Sequence, residues 1–179
     1  MTKPTVRAAF PTWGEANRRL VARVANLTEE QLALQPTPDR WPLWASIGHL
    51  ACQRVFGLCD FGGEPGAAES PFPNAGFNCP GDDDLEHVWS SEQLVDALER
   101  TFAIIDRVLD TYTLESLEEV ISHPEWGPDW VRTRGENLQR TFAHDLWHMA
   151  ELNEALTRAG LAPLDIWEPL VTESTVAAS

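Results

Sequence analysis

His144 and His148 stand four residues apart. On a helix that spacing sets two imidazoles about 40° apart around the axis and about 6 Å along it. Two rings so placed can share one metal ion. The pair alone is a weak signal, because it also arises by accident on a helix surface. Three further features strengthen it. The pair lies at the shoulder of an apolar stripe rather than on a solvent face, and Glu151 and Ala155 continue the same column. His49 falls in the middle of another apolar segment, on the face that carries Cys52 and Phe56. A helical interior supplied with His from two helices is a common way to build a metal centre. Three neutral imidazoles leave coordination open, the pattern of a catalytic rather than a structural site. Nitrogen ligands suit Zn, Ni, Fe or Co, and affinity order does not choose among them.

Other side chains carry two readings each. Arg54 lies inside an apolar face, between Ile47 and Leu58. A buried guanidinium needs a partner. Asp145, within the apolar arc of the last helix, can supply one and make a structural ion pair. The alternative is an anion clamp for the carboxylate of a substrate or thiol. Glu151 can hold an imidazole tautomer, act as a general base, or be an ordinary exposed helix Glu. Cys52 is a candidate reactive or metal-bound thiolate, but a small buried hydrophobe is the favoured reading. Cys59 and Cys79 read as structural or incidental. Three Cys at no metal-like spacing predict neither a disulfide framework nor a zinc ribbon. His87, in DDDLEHVW, and His123, before Pro124, are expected to face solvent outside any metal site. Trp41, Trp44 and Trp147 flank the His segments, and Trp126 and Trp130 fall in a loop able to cap a pocket. Most Trp are expected in packing, with Trp44 and Trp147 as candidates for a pocket wall.

The elements that must position these residues are helical. Leu20, Val21, Val24 and Leu27 stripe a first helix over about 12–25. Thr28 with Gln31 predicts a capping box on a short piece closed by Pro36 and Pro38. A second helix over about 42–59 opens on Pro42 and is apolar on two sides, so it is expected to be buried. Residues 60–90 are rich in Gly and Pro and read as a long ordered loop or lid. A third helix opens at Ser90 or Ser91 and ends near Tyr112, with Leu94, Leu98, Phe102, Ile105 and Leu109 as its stripe. A second irregular connection covers 113–133. A fourth helix over about 135–158 stops at Gly160. No segment shows strand alternation. The expected architecture is one all-α domain over 1–179, a four-helix bundle with a tail that frays after about residue 170.

Charge narrows the partners. Thirteen basic and 28 acidic residues give a net charge of −15. Such a surface repels phosphate backbones and anionic lipid, which argues against nucleic-acid and membrane partners. No apolar run approaches the ~20 residues of a membrane span, and the first residues lack a signal-peptide core, so a cytoplasmic location is expected. The same charge opposes any acidic substrate, so a basic group inside the pocket would help, which adds interest to Arg54.

PDRWPLWASIGHLACQRVFGLC, followed later by RTFAHDLWHMAELNEALTRAGLAPLDIW, resembles the DinB-like (YfiT-like) family. The shared pattern is a Trp-containing approach to the second helix, His-Leu-Ala-x-x-Arg, His-Asp-x-x-His-x-x-Glu, and a Gly-Leu-x-x-Leu-Asp-Ile-Trp tail. The resemblance implies an antiparallel bundle of up-down-down-up topology, a homodimer, and a divalent metal, Zn first, on His49, His144 and His148. It also implies an enzyme that uses a low-molecular-weight thiol (mycothiol, bacillithiol or glutathione) in S-transfer or isomerisation of a small electrophile. The alternatives are a metal-dependent hydrolase and a non-catalytic metal- or ligand-binding stress protein. Met149 and Ala150 depart from the small residue and Gly common in that family, which alters the expected pocket floor.

Overall fold

Three helices begin where a hydroxyl and an amide or carboxylate exchange bonds with the backbone. In this computed structural model, which describes residues 3–166 other than 77, 124 and 128, complete capping boxes form at Thr28 with Gln31, at Ser90 with Gln93 and at Thr133 with Glu136. They open α2 (Glu29–Leu32), α4 (Ser91–Thr111) and α5 (Arg134–Arg158). Each box satisfies amide groups that the helix itself leaves without partners. The other two α-helices are α1 (Trp13–Val24) and α3 (Leu43–Val55).

The molecule is mostly helical. The uniformly apolar α3 is its centre and packs against both α4 and α5, while α1 packs on α4. Every residue of α3 except Gln53 is buried, as two-sided apolarity requires. The whole expected stripe of α4 is buried. Among the described residues, no helix is long and apolar enough to cross a membrane. Trp167 and the tail expected to fray lie outside the described residues.

Three local features differ from the sequence reading. First, the helix expected over 42–59 changes pitch at Phe56 and continues to Phe61 as a π-helix. The wider turn occurs where α5 comes close. A Cβ on Gly57 would stand 2.9 Å from Thr141 Oγ1, and Asn137 Nδ2 donates to the Gly57 carbonyl at 2.5 Å. Such widened turns often mark functional sites.

Second, the connection after α4 contains an antiparallel pair, β1 (Val120–Ser122) and β2 (Val131–Thr133), with Ile121 opposite Arg132. Three-residue strands are too short to register as alternation. Thr133 ends β2 and caps α5, so the hairpin sets the start of the helix that carries two of the three candidate ligands.

Third, Cys52 and Cys79 form a disulfide, with Cα atoms 5.7 Å apart. This corrects the expectation of no disulfide and of Cys52 as a simple hydrophobe. The bond ties α3 to the long loop after it. The same loop is held by Pro80, packed so closely on Gly48 that a Cβ there would stand 3.0 Å from the proline ring. Gly81, at φ +86°, turns the chain against the Trp41 ring. Phe72 stacks on Trp89 at 5.4 Å. Cys59 is the free thiol, and burial first of all pushes its pKa up to about 11.

Candidate metal centre

α3 supplies His49 and α5 supplies His144 and His148. Helix packing brings the three rings together, with one nitrogen of each within 4.8 Å of the others. His144 Nε2 lies 3.2 Å from Nε2 of His49 and 3.2 Å from Nε2 of His148. Burial is the main cause that lowers their pKa values, to about 4 for His49 and His144 and about 3 for His148. Mutual repulsion lowers those of His144 and His148 further. All three are therefore neutral at pH 7.

Glu151 Oε2 lies 2.8 Å from His148 Nδ1. A carboxylate only accepts, so the proton sits on Nδ1 and Nε2 keeps a lone pair facing the cluster. The donor set fits a divalent ion. Two nitrogens at ~2.05 Å on a tetrahedral ion stand about 3.3 Å apart, close to the spacing seen. Converging lone pairs without a cation between them repel one another. His49 Nδ1 is buried and lacks a hydrogen-bond partner; an Asp82 carboxylate oxygen is 3.4 Å away but not aligned for a hydrogen bond.

The structure sorts the other candidates. Glu151 has both oxygens engaged, since Trp147 Nε1 donates to Oε1 at 3.1 Å and Arg40 stands at 3.5 Å. It sits behind His148, where it holds that ring's tautomer. Arg54 is fully buried. Its Nε and Nη2 hold the equally buried Asp145 at 2.8–3.1 Å, and Nη1 and Nη2 also reach Leu98 O, Thr101 and Asn17. With its donors spent on protein groups, it cannot clamp a ligand, and its expected catalytic role is corrected to a structural one. Trp44 is buried in the core and forms no pocket wall. Trp147 is 62% exposed and does line a pocket. His87 is exposed and bonded to Asp84. His123 is half-buried rather than solvent-facing, its ring 4.5 Å from that of Trp126.

A cavity of about 620 Å³ opens beside the cluster, and His144 is part of its wall. Phe56 and Trp126 stack at 4.9 Å, and Trp130 meets Trp126 edge-on at 4.9 Å. Asp82 and Asp83, on the disulfide-held loop, form one side. Burial raises the pKa of Asp82, and the neighbouring Asp83 raises it further. Arg132 and Arg140 line the same cavity. The sequence reading passed over these four charged residues. Helical spacing held a signal for one of them, because Arg140 precedes His144 by four on the same column. Nothing in the sequence pattern placed the others.

The DinB superfamily profile matches residues 12–152. Among solved structures, a DinB-like protein from Bacillus cereus ATCC 10987 superposes with a TM-score of 0.62. The alignment covers 90% of this chain and 97% of that one at 16% identity, so the likeness is one of fold. No curated protein matches the chain.

Proposed function

As the chain belongs to the DinB superfamily, we propose that it is a divalent-metal-dependent enzyme that turns a low-molecular-weight thiol on a small electrophile. The observation that carries this reading is the convergence of three neutral imidazoles, one nitrogen of each within 4.8 Å of the others, beside an open, aromatic-lined cavity whose wall includes His144. His49, His144 and His148 would hold the ion, and Glu151 keeps the His148 tautomer that ligation needs. When bound, a divalent ion supplies Lewis acidity, which lowers the pKa of a thiol or water. The protein's own groups do the rest. Phe56, Trp126 and Trp130 exclude water and present flat surfaces to an apolar substrate. Asp82, which lines the same cavity as His144 and is held by its loop, would take the proton that a thiol sheds on attack. The thiol sulfur then bonds to the electrophile, and the leaving group departs with the electron pair.

Asp82 also favours a second reading, metal-dependent hydrolysis, in which the same carboxylate takes a proton from water. The proposal further takes Zn as the first choice of metal before Ni, Fe or Co. It takes the long helices as an antiparallel up-down-down-up four-helix bundle, a homodimer as the assembly, and a small molecule rather than nucleic acid or membrane as the partner. A cytoplasmic location belongs to the same expectation, although disulfides such as Cys52–Cys79 are rare in reducing compartments.

The test combines metal analysis with turnover. Purified protein should carry close to one divalent ion per chain, lost in His49→Ala and in His144→Ala. Mycothiol, bacillithiol and glutathione should be screened with 1-chloro-2,4-dinitrobenzene, with saturation in both reactants expected for one thiol. Full activity in metal-free protein overturns the metal reading. Ester turnover without any thiol selects hydrolysis, and a metal-loaded protein that saturates with no substrate selects a binding role.

A further inference from the structure

The acidic chain leaves few cations without a carboxylate. Arg7, Arg18, Arg19, Arg40, Arg54, Arg100, Arg134 and Arg158 all make ion pairs. Among the described residues, Arg23, Arg107, Arg132 and Arg140 make none within 4.0 Å; Arg23 and Arg107 donate to backbone carbonyls, whereas Arg132 and Arg140 line the large cavity. Arg132 comes from β2 and Arg140 from α5, so two separate elements bring like charges to one wall. Arg132 is half-buried, its guanidinium lying 4.0 Å over the Phe61 ring, with Nη1 donating to Asn137 Oδ1 at 3.4 Å. Burial lowers its pKa, the charge of Arg140 lowers it further, and the Glu136 carboxylate works the other way. Glu136 offsets the charge of Arg132 only through space, without an ion pair within 4.0 Å, and Arg140 is exposed at the cavity rim, so both guanidinium groups keep donors for an anion in the chamber.

The rest of the chamber states what else the anion must be. Phe56 and Trp126 offer stacked faces, and Trp130 and Trp147 remain substantially exposed although large and apolar. Asp82 and Asp83 stand on the side nearer the histidines and repel a second negative group there. We propose that this cavity binds a flat, apolar carboxylate, its ring among Phe56, Trp126 and Trp130 and its charge on Arg132 and Arg140. The proposal names the substrate class for the reading above, but anion binding is measurable without metal or turnover, so the two can fail separately.

The test uses chelated, metal-free full-length protein and three probes of one shape: 2-naphthoate, 2-naphthylmethanol and 2-naphthylammonium. Binding is read by calorimetry, with tryptophan quenching as the second signal. Naphthoate should bind at least about tenfold more tightly than the alcohol, the equivalent of one charge-assisted bond, and the ammonium more weakly still. Arg132→Gln and Arg140→Gln should each reduce naphthoate affinity, and the double variant should erase its advantage over the alcohol. Trp126→Leu should weaken naphthoate and alcohol alike. Metal content and melting temperature of the arginine variants should stay those of the parent. Equal binding of naphthoate and alcohol to the parent overturns the proposal. So does an unchanged preference in the double variant, or naphthoate binding that needs metal and ignores both arginines.

Discussion

Replacing Arg54 by Met should cost the protein several kcal/mol and loosen its metal site. In the parent, Asp145 is fully buried and accepts from Arg54 Nε, Arg54 Nη2 and Trp13 Nε1. The substitution leaves a carboxylate with no accessible surface and one remaining donor, the Trp13 indole at 2.7 Å. Breaking one side of a buried pair typically costs about 3–5 kcal/mol. For a chain of this size each kcal/mol lowers the melting temperature by about 2–4 °C, so the expected loss is roughly 10 °C. The double variant Arg54→Met/Asp145→Leu removes both charges and should recover at least half of that loss, because a well-packed apolar replacement of a buried pair is often neutral. The pair also joins α3 to α5 one residue from His144, so Arg54→Met should weaken metal binding in a competition with a chromophoric chelator. Urea denaturation of metal-free protein followed by tryptophan fluorescence gives the stability term free of ligand linkage. A loss under 1 kcal/mol for Arg54→Met, or a double variant whose loss is the sum of the singles, would refute the reasoning.

Three other outcomes are expected. Glu151→Gln should weaken metal affinity by about 10–100-fold with the circular dichroism spectrum unchanged; an unaltered affinity would show that the carboxylate does not orient His148. Chelated protein should lose stability as pH falls from about 6.5 toward 4, because the folded imidazoles stay neutral to about 4 or below while unfolded ones bind protons near 6.5. That contribution is fully present above pH 6.5; added metal should suppress the decline, and a profile identical to that of a His49→Gln/His144→Gln/His148→Gln variant would contradict it. Gly81→Ala should lower the urea midpoint by the equivalent of about 1–3 kcal/mol, since it combines a φ of +86° with a Cβ only 2.7 Å from the Trp41 ring. A midpoint equal to the parent's would mean that the loop relaxes freely.

The candidate ligand cluster was legible in the chain because helices convert spacing into direction. His144 and His148 needed only the 3.6-residue period to be placed together, and the burial of α3 followed from its two apolar faces. Partners from different elements were not legible in this way. Arg132 reaches the cavity through a hairpin of three-residue strands whose pattern is too short to detect. Asp82 reaches it because Cys79 and Pro80 fasten an aperiodic loop to α3. Arg54 could be seen to need a partner, but its set of Asp145, Asn17, Thr101 and Leu98 O comes from three other helices, and only packing reveals how completely its donors are used. Trp44 and Trp147 flank the ligands equally well in sequence, yet the helix phase sends one into the core and the other to the rim.

The Cys52–Cys79 bond has a practical consequence for chemistry in the chamber. Cys79 is part of the cavity wall, and a thiolate attacks disulfide sulfur as well as carbon. A co-substrate that gives up its S–H proton there is also a potential cutter of the strap that positions Asp82. Reductants added as routine during purification have the same target. Wherever dithiothreitol reaches these buried sulfurs it releases the acidic loop, so activities of protein prepared with it and without it belong in separate columns.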